Sequence, residues 1–88
     1  MRHREGYILR RVGEKHIVLP VTEGASALGA ALQLNESGAL LWTMLDEETT
    51  EQALAAALRG AFDLDADTAL HDVAAFVAKL RGNRLLIE

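Results

Sequence analysis

The chain has 88 residues, half of them hydrophobic, with no cysteine and a formal net charge of −4. A chain of this length supports one hydrophobic core, so we expect a single domain over residues 1–88 and no separate catalytic domain. The lack of cysteine excludes disulfides, thiolate metal sites and a cysteine nucleophile, and the negative charge disfavours nucleic acid, whose phosphates require cationic side chains.

The N-terminal sequence MRHREGYILRR is basic but contains neither a long apolar segment nor a small-residue cleavage site. It is therefore not predicted to be a signal peptide. No apolar run approaches the roughly 20 residues that a membrane-spanning helix needs. With no cysteine present, the sequence fits a cytoplasmic protein that has no membrane partner.

Two short apolar runs near the start of the chain predict a β-hairpin, with strands at about 6–12 and 15–21. Gly13 lies between them and can take the positive φ that a tight turn needs. Pro20 cannot donate a hydrogen bond, which favours a position near a strand end or at a sheet edge. The small, glycine-rich residues 22–30 predict a connecting loop.

A brief third strand is predicted at about 30–34, followed directly by a first helix at about 36–45. Asn35 is a suitable N-cap because its side-chain oxygen can accept from the free N–H groups of the first turn. Trp42 lies on the apolar stripe that we expect to pack beneath the sheet. Gly38 costs about 1 kcal/mol relative to alanine in a helix, so we expect another backbone to approach it closely.

Two further helices are predicted, at about 50–60 and 66–81. Thr49 with Gln52 has the spacing of a capping box for the second helix, and Asp65 is the expected N-cap of the third. Three antiparallel strands followed by three helices predict an α+β fold of the winged helix-turn-helix type. The last five residues add a short strand or an extended tail.

No catalytic or metal-binding pattern is present. His3, His16 and His71 lack the spacing of metal ligands. The alternating aspartates of residues 62–67 lack the glycine and the later glutamate of a calcium loop, and capping explains them better. No serine has a nucleophile elbow, and no phosphate-binding loop occurs. We therefore predict that the chain is not an enzyme and has no catalytic residue, metal or cofactor.

The third helix is apolar over more of its surface than one buried face requires. At spacings of three and four, its inward stripe comprises Ala69, Val73, Phe76 and Leu80. A neighbouring apolar face comprises Leu70, Ala74, Val77 and Ala78. Either both faces are internal, or the second lines a groove beside the third strand. In the latter case an extended peptide could pair with the strand edge and place its apolar side chains in the groove.

The segments LNESGALLWTML, TTEQALAAAL, FDLDADTALHDVAAFVAKL and LLIE, in this order, resemble the PqqD-like family. Its members act in pyrroloquinoline quinone biosynthesis and related pathways, and are also called RiPP recognition elements. The resemblance covers about Gly6 to Glu88. It implies a non-catalytic module that holds the leader segment of a ribosomally made precursor peptide. The leader would be presented to a modifying enzyme, most often a radical S-adenosylmethionine enzyme and sometimes a protease or cyclase.

The resemblance also implies where the leader lies, along the third strand and against the third helix. Carried onto this sequence, the strand positions are Ala30, Ala31, Leu32, Gln33 and Leu34. The helix positions are a face assignment from spacing, and they are Leu70, Ala74, Val77 and Arg81.

Two other functions remain open from the sequence. A winged-helix nucleic-acid module would insert its second or third helix, but the third helix begins with Asp65 and Asp67, and the second offers little beyond Arg59. A structural domain could instead use the strand edges and the spare apolar face to form a homodimer, or exchange the hairpin between copies.

Overall fold

The computed structural model describes residues 1–21 and 32–88. In chain order the elements are β1 (Arg2–His3), β2 (Tyr7–Val12), β3 (Lys15–Pro20), β4 (Leu32–Leu34), α1 (Glu36–Met44), α2 (Glu51–Phe62), α3 (Ala66–Gly82) and β5 (Leu86–Ile87). The predicted α+β fold, with three antiparallel strands followed by three helices, is confirmed. Nowhere in the described part of the chain does a helix combine the length and hydropathy that crossing a membrane requires.

Strands β2, β3 and β4 form an antiparallel sheet in that order, with β3 in the centre. Ile8 pairs with Leu19 in the hairpin, and Ile17 pairs with Gln33 between β3 and β4. Gly13 turns the hairpin at a φ of +64°, a conformation that glycine adopts without strain. Of the third strand predicted at 30–34, the structure describes Leu32 to Leu34; Ala30, Ala31 and the predicted loop lie outside the described residues.

A second, two-stranded ribbon joins the two ends of the described chain. Arg2 pairs with Ile87, and His3 pairs with Leu86. The backbone N–H of His3 also donates to the carbonyl of Leu45 over 3.0 Å, which attaches the ribbon to the end of α1. Strand β1 was not predicted, because two residues are too short to show a period and their partner lies at the opposite end of the sequence.

The core lies between the inner face of the sheet and the three helices. The inward stripe predicted for α3 is confirmed, since Ala69, Val73, Phe76 and Leu80 are at most 8% exposed. The other large side chains of the core come from every layer, and they are Val18, Leu34, Leu41, Trp42, Leu45, Leu54, Leu58, Val77 and Leu85. Burying each leucine contributes about 1.5–3 kcal/mol, so these contacts hold the sheet against the helices.

The helices begin at side-chain caps. Asn35 Oδ1 accepts from the N–H of Gly38 over 2.8 Å, and Asp65 Oδ1 accepts from that of Thr68 over 2.7 Å, as predicted. The backbone hydrogen bond from Thr68 lowers the pKa of Asp65.

The predicted cap of α2 is wrong by one position. Thr50, and not Thr49, accepts from the N–H of Ala53 over 3.1 Å. Thr49 is unavailable because its N–H and carbonyl each bond the backbone of Met1 over 2.9 Å. A capping pattern depends only on residues that are close in sequence, so it contains no information about a pairing with the distant start of the chain.

Candidate functional site

The outer edge of β4 carries exposed backbone groups. Among the described residues, no strand pairs with β4 on the side away from β3. The carbonyl oxygen of Gln33 accepts from Lys79 Nζ over 3.2 Å, so it points away from β3 and towards α3. In an antiparallel strand the N–H and C=O of one residue point to the same side, and successive residues alternate between the two sides. The N–H of Gln33 therefore also faces outward. The edge thus presents a donor and an acceptor to an extended chain.

A groove with a volume of about 450 Å³ lies beside this edge, between β4, the start of α1 and α3. Its lining residues are Gln33, Leu34, Asn35, Ser37, Gly38, Leu41, Asp72, Ala75, Phe76 and Lys79. The floor is apolar because the side chains of Leu41 and Phe76 form it. Both are buried, at 1% and 8% exposed. The rim is polar and carries one charge of each sign, on Asp72 and Lys79. An apolar floor with a few polar groups at its rim is typical of a binding site.

Gly38 limits how far the residues of α1 fill the groove. A Cβ atom at this position would lie 3.1 Å from Asn35 Oδ1, 3.2 Å from Leu34 Cβ and 3.5 Å from Phe76 Cε1. The predicted approach of another backbone is therefore wrong, because the close atoms belong to side chains. Glycine keeps the first turn of α1 compatible with the Asn35 cap and leaves space above the Phe76 ring.

The groove face of α3 consists of Asp72, Ala75, Phe76 and Lys79. Their spacing of three, four and seven residues places them along one side of the helix. Phe76 belongs both to this face and to the buried stripe, so its ring forms part of the boundary between groove and core. The small side chain of Ala75 leaves room beside that ring.

The structure brings only some of the predicted site residues to the groove. Gln33 and Leu34 line it, whereas Leu32 lies in the same strand and packs partly buried against the core. Ala30 and Ala31 lie outside the described residues.

The four predicted helix positions are placed elsewhere. Val77 is 1% exposed and belongs to the core, while Leu70 is 48% exposed. Ala74 is also exposed, and the Arg81 guanidinium donates to both carboxylate oxygens of Glu88. None of the four is among the described residues that line the groove. At 100° per residue, these four positions share one side of α3, and Lys79 lies on the other side of the buried stripe.

Sequence reasoning missed the groove face because it searched α3 for additional apolar residues. The face that lines the groove contains two charged residues, Asp72 and Lys79, and only one small apolar residue besides Phe76. The signal that could have found it is the spacing of Ala75, a small residue three positions after Asp72 and four before Lys79, on the same side of the helix as both charges.

Electrostatic pairing distinguishes the groove from its surroundings. On the opposite side of α3, the mutual hydrogen bond of Arg81 and Glu88 raises the pKa of the guanidinium and lowers that of the carboxyl. Lys79 and Asp72 have no such partners among residues 1–21 and 32–88. In the same described residues, no group of three or more histidine or carboxylate side chains converges into a cluster suited to a metal ion.

Comparison with known proteins places this geometry in context. Two solved structures share the fold. One is described as TbiB1 in complex with the TbiA(beta) leader peptide; it is 19% identical, with a TM-score of 0.76 over 98% of this chain and 94% of that chain. The other, lasso peptide synthetase B1 complexed with the leader peptide, is 22% identical, with a TM-score of 0.75 over 99% and 96%. No curated protein matches the sequence.

A family model gives the more specific result. The model described as coenzyme PQQ synthesis protein D (PqqD) matches residues 8–86, which include the hairpin from Ile8 onwards, β4 and all three helices. This agrees with the sequence resemblance. The chain belongs to the PqqD family.

Proposed function

We propose that this chain is a non-catalytic protein that binds the leader segment of a ribosomally synthesised precursor peptide and presents it to a modifying enzyme. The observation that carries the proposal is the outward-facing backbone of Gln33 beside the groove. An extended peptide can pair with this edge and place alternate side chains against Phe76 and Leu41. Backbone pairing then supplies affinity, and the groove supplies selection.

The proposed contact surface comprises Gln33 and Leu34 of β4 and the groove face of α3. Ala30, Ala31 and Leu32 remain predicted strand positions. Leu70, Ala74 and Arg81 also remain predictions, but a peptide confined to the groove does not reach them. Val77 supports the site from within the core, because its side chain is almost fully buried.

Both structurally similar proteins were solved with a leader peptide bound, which supports a peptide as the partner of this chain. The family resemblance supports our proposal for the modifying enzyme. We propose a radical S-adenosylmethionine enzyme first, with a protease or cyclase as the alternative. Since the precursor is made by ribosomes, we propose that the protein acts in the cytoplasm.

A titration tests this function. The isotope-labelled protein is titrated with synthetic leader peptides of precursors encoded beside its gene, and backbone amide shifts are followed by NMR. We expect saturable binding with the largest shifts at Gln33, Leu34, Ala75, Phe76 and Lys79. Ordering the peptide costs about 2–5 kcal/mol, so micromolar binding, about −8.2 kcal/mol, requires an apolar side chain in the groove. Absence of binding, or shifts confined to α2 and the hairpin turn, would reject the proposal.

A further inference from the structure

Lys79 holds a charge at the groove that is not neutralised by any described residue. Its ammonium donates to the carbonyl of Gln33 over 3.2 Å. Across residues 1–21 and 32–88, none of the ion pairs within 4.0 Å includes it. Two residues later, Arg81 is paired with Glu88. Lys79 is thus held by a neutral carbonyl oxygen, whereas Arg81 is held by a carboxylate.

Strand addition would compete with Lys79 for that acceptor. A peptide N–H that pairs with β4 takes the outward carbonyl of Gln33, the same atom that the ammonium now occupies. A lysine ammonium has three donors and no acceptor. Lys79 is exposed in the free protein, and a bound peptide that covers it would leave its donors in need of an acceptor. A carboxylate on the peptide would restore the bond in a stronger, charge-assisted form.

Asp72 supplies the opposite charge on the same face of α3, seven residues before Lys79. Seven residues of helix span about 10.5 Å. Side chains on one side of an extended peptide recur about every 6.8 Å. The interval of about 10.5 Å lies between the spacings of two residues and of four residues, about 6.8 Å and 13.6 Å, and flexible side chains can cover the difference. An acidic side chain at Lys79 is therefore compatible with a basic side chain two or four residues away, near Asp72. The reverse arrangement opposes like charges at both ends.

We propose that Lys79 is a specificity-determining residue, which exchanges the Gln33 carbonyl for an aspartate or glutamate side chain of the bound peptide. The inference rests on the proposed peptide-binding function and deepens it by naming the chemical class of peptide. The groove selects an extended segment with an apolar anchor over Phe76 and an acidic residue beside β4.

A selection that needs no known ligand tests this. An mRNA-displayed library of random 15-residue peptides is enriched on the wild-type protein, on Lys79→Glu and on Lys15→Glu. Lys15 is exposed in the hairpin and provides the same charge reversal away from the groove. We expect wild type and Lys15→Glu to enrich an acidic residue at one fixed distance from an apolar anchor, and Lys79→Glu to enrich a basic residue there.

Identical consensus sequences from wild type and Lys79→Glu would overturn the role of Lys79 while leaving peptide binding intact. Recovery of no binding peptide on any of the three proteins would overturn the proposed function and this inference together. The two failures are therefore distinguishable in one experiment.

A thermodynamic cycle on one enriched peptide isolates the contact. Replacing its acidic residue by the matching amide is expected to weaken binding to wild type about tenfold, a typical value for a charge-assisted hydrogen bond. The same replacement is expected to change binding to Lys79→Gln less than about threefold, since the coupling is lost. Equal losses on the two proteins would contradict the proposal. Thermal unfolding of Lys79→Gln confirms that the variant is folded.

Discussion

The imidazole of His3 lies flat against the indole of Trp42, with ring centroids 4.2 Å apart and planes 3° from parallel. The same imidazole contacts the carboxylate of Asp46 through Nε2, and its Nδ1 lies 3.0 Å from the carbonyl of Arg4. Because Trp42 is 2% exposed, the imidazole closes one side of the core. The stack connects β1 to α1, and so attaches the β1–β5 ribbon to the helices.

His3→Ala is predicted to destabilise the fold by about 1–2 kcal/mol, because it removes a stacked pair and exposes one face of the indole. Urea unfolding followed by the fluorescence of the single tryptophan measures both effects. His3→Phe is the matched control, since it keeps an aromatic ring over Trp42 and loses the contact with Asp46. It should retain most of the stability; equal losses for the two variants would show that the polar contact matters more than the stack.

The parts of the fold that the sequence predicts are those encoded locally. Asn35 and Asp65 cap their helices as expected, because a cap depends on residues within one turn. The buried stripe of α3 follows from its spacing. The β1–β5 ribbon and the Thr49–Met1 pairing join the beginning of the chain to distant residues, so no local pattern indicates them.

The candidate site was predicted only in part, for a physical reason. The strand edge follows from the position of β4, and Gln33 and Leu34 lie where expected. The groove face of α3 could not be assigned by hydrophobicity, because it combines charged rim residues such as Lys79 with a ring shared with the core, Phe76. An apolar residue such as Val77 instead completes the interior.

Gly38→Ala is predicted to destabilise the protein and to narrow the groove. The gain in helix propensity, about 1 kcal/mol, is opposed by contacts of 3.1 Å and 3.2 Å with Asn35 Oδ1 and Leu34 Cβ. The Asn35 oxygen is held by its cap and the Leu34 Cβ by the strand, so neither can move away easily. Thermal unfolding and peptide binding both report the change.

Gly60→Ala is the matched control in α2. Among residues 1–21 and 32–88, no heavy atom beyond its own stretch of helix would lie within 4 Å of an alanine Cβ at this position. The substitution is therefore predicted to stabilise the protein by about 0.5–1 kcal/mol. Peptide affinity should not change, since Gly60 is remote from the groove lining. If alanine stabilised the protein at both Gly38 and Gly60, Asn35 and Leu34 would be able to move away from a Cβ at position 38 more easily than their short distances indicate.

Gln33→Pro is predicted to weaken leader binding at least about tenfold while leaving the sheet intact. Proline removes the outward N–H and places its ring at the free edge, and such positions tolerate proline. The ladder bonds to β3 come from Leu32 and Leu34, whose backbone groups face inward. Fluorescence anisotropy with a labelled leader peptide measures the loss.

Gln33→Ala separates the backbone of this residue from its side chain. It retains the N–H and carbonyl, so its affinity should stay within about threefold of wild type. A large loss with alanine and none with proline would mean that the side chain, and not the strand edge, recognises the peptide.

Asp65 is predicted to make the stability of α3 dependent on pH. Hydrogen bonds from Thr68 lower its pKa in the folded state, so its contribution is fully present above the unfolded value, roughly 3.9, and is lost as pH falls through the folded value. Asp65→Asn keeps a capping oxygen that does not titrate. Urea unfolding of both proteins from pH 7 to pH 3 should show wild type losing stability relative to the variant below about pH 4. A constant difference over this range would exclude the coupling.

Hydrogen exchange at the Gln33 amide tests strand addition most directly. In the free protein this N–H faces outward from β4, and it should exchange rapidly with solvent. With a saturating leader peptide it should exchange far more slowly, because it then donates to the peptide backbone. A peptide that binds tightly, yet leaves exchange at Gln33 unchanged, would show that the leader does not add to this sheet edge.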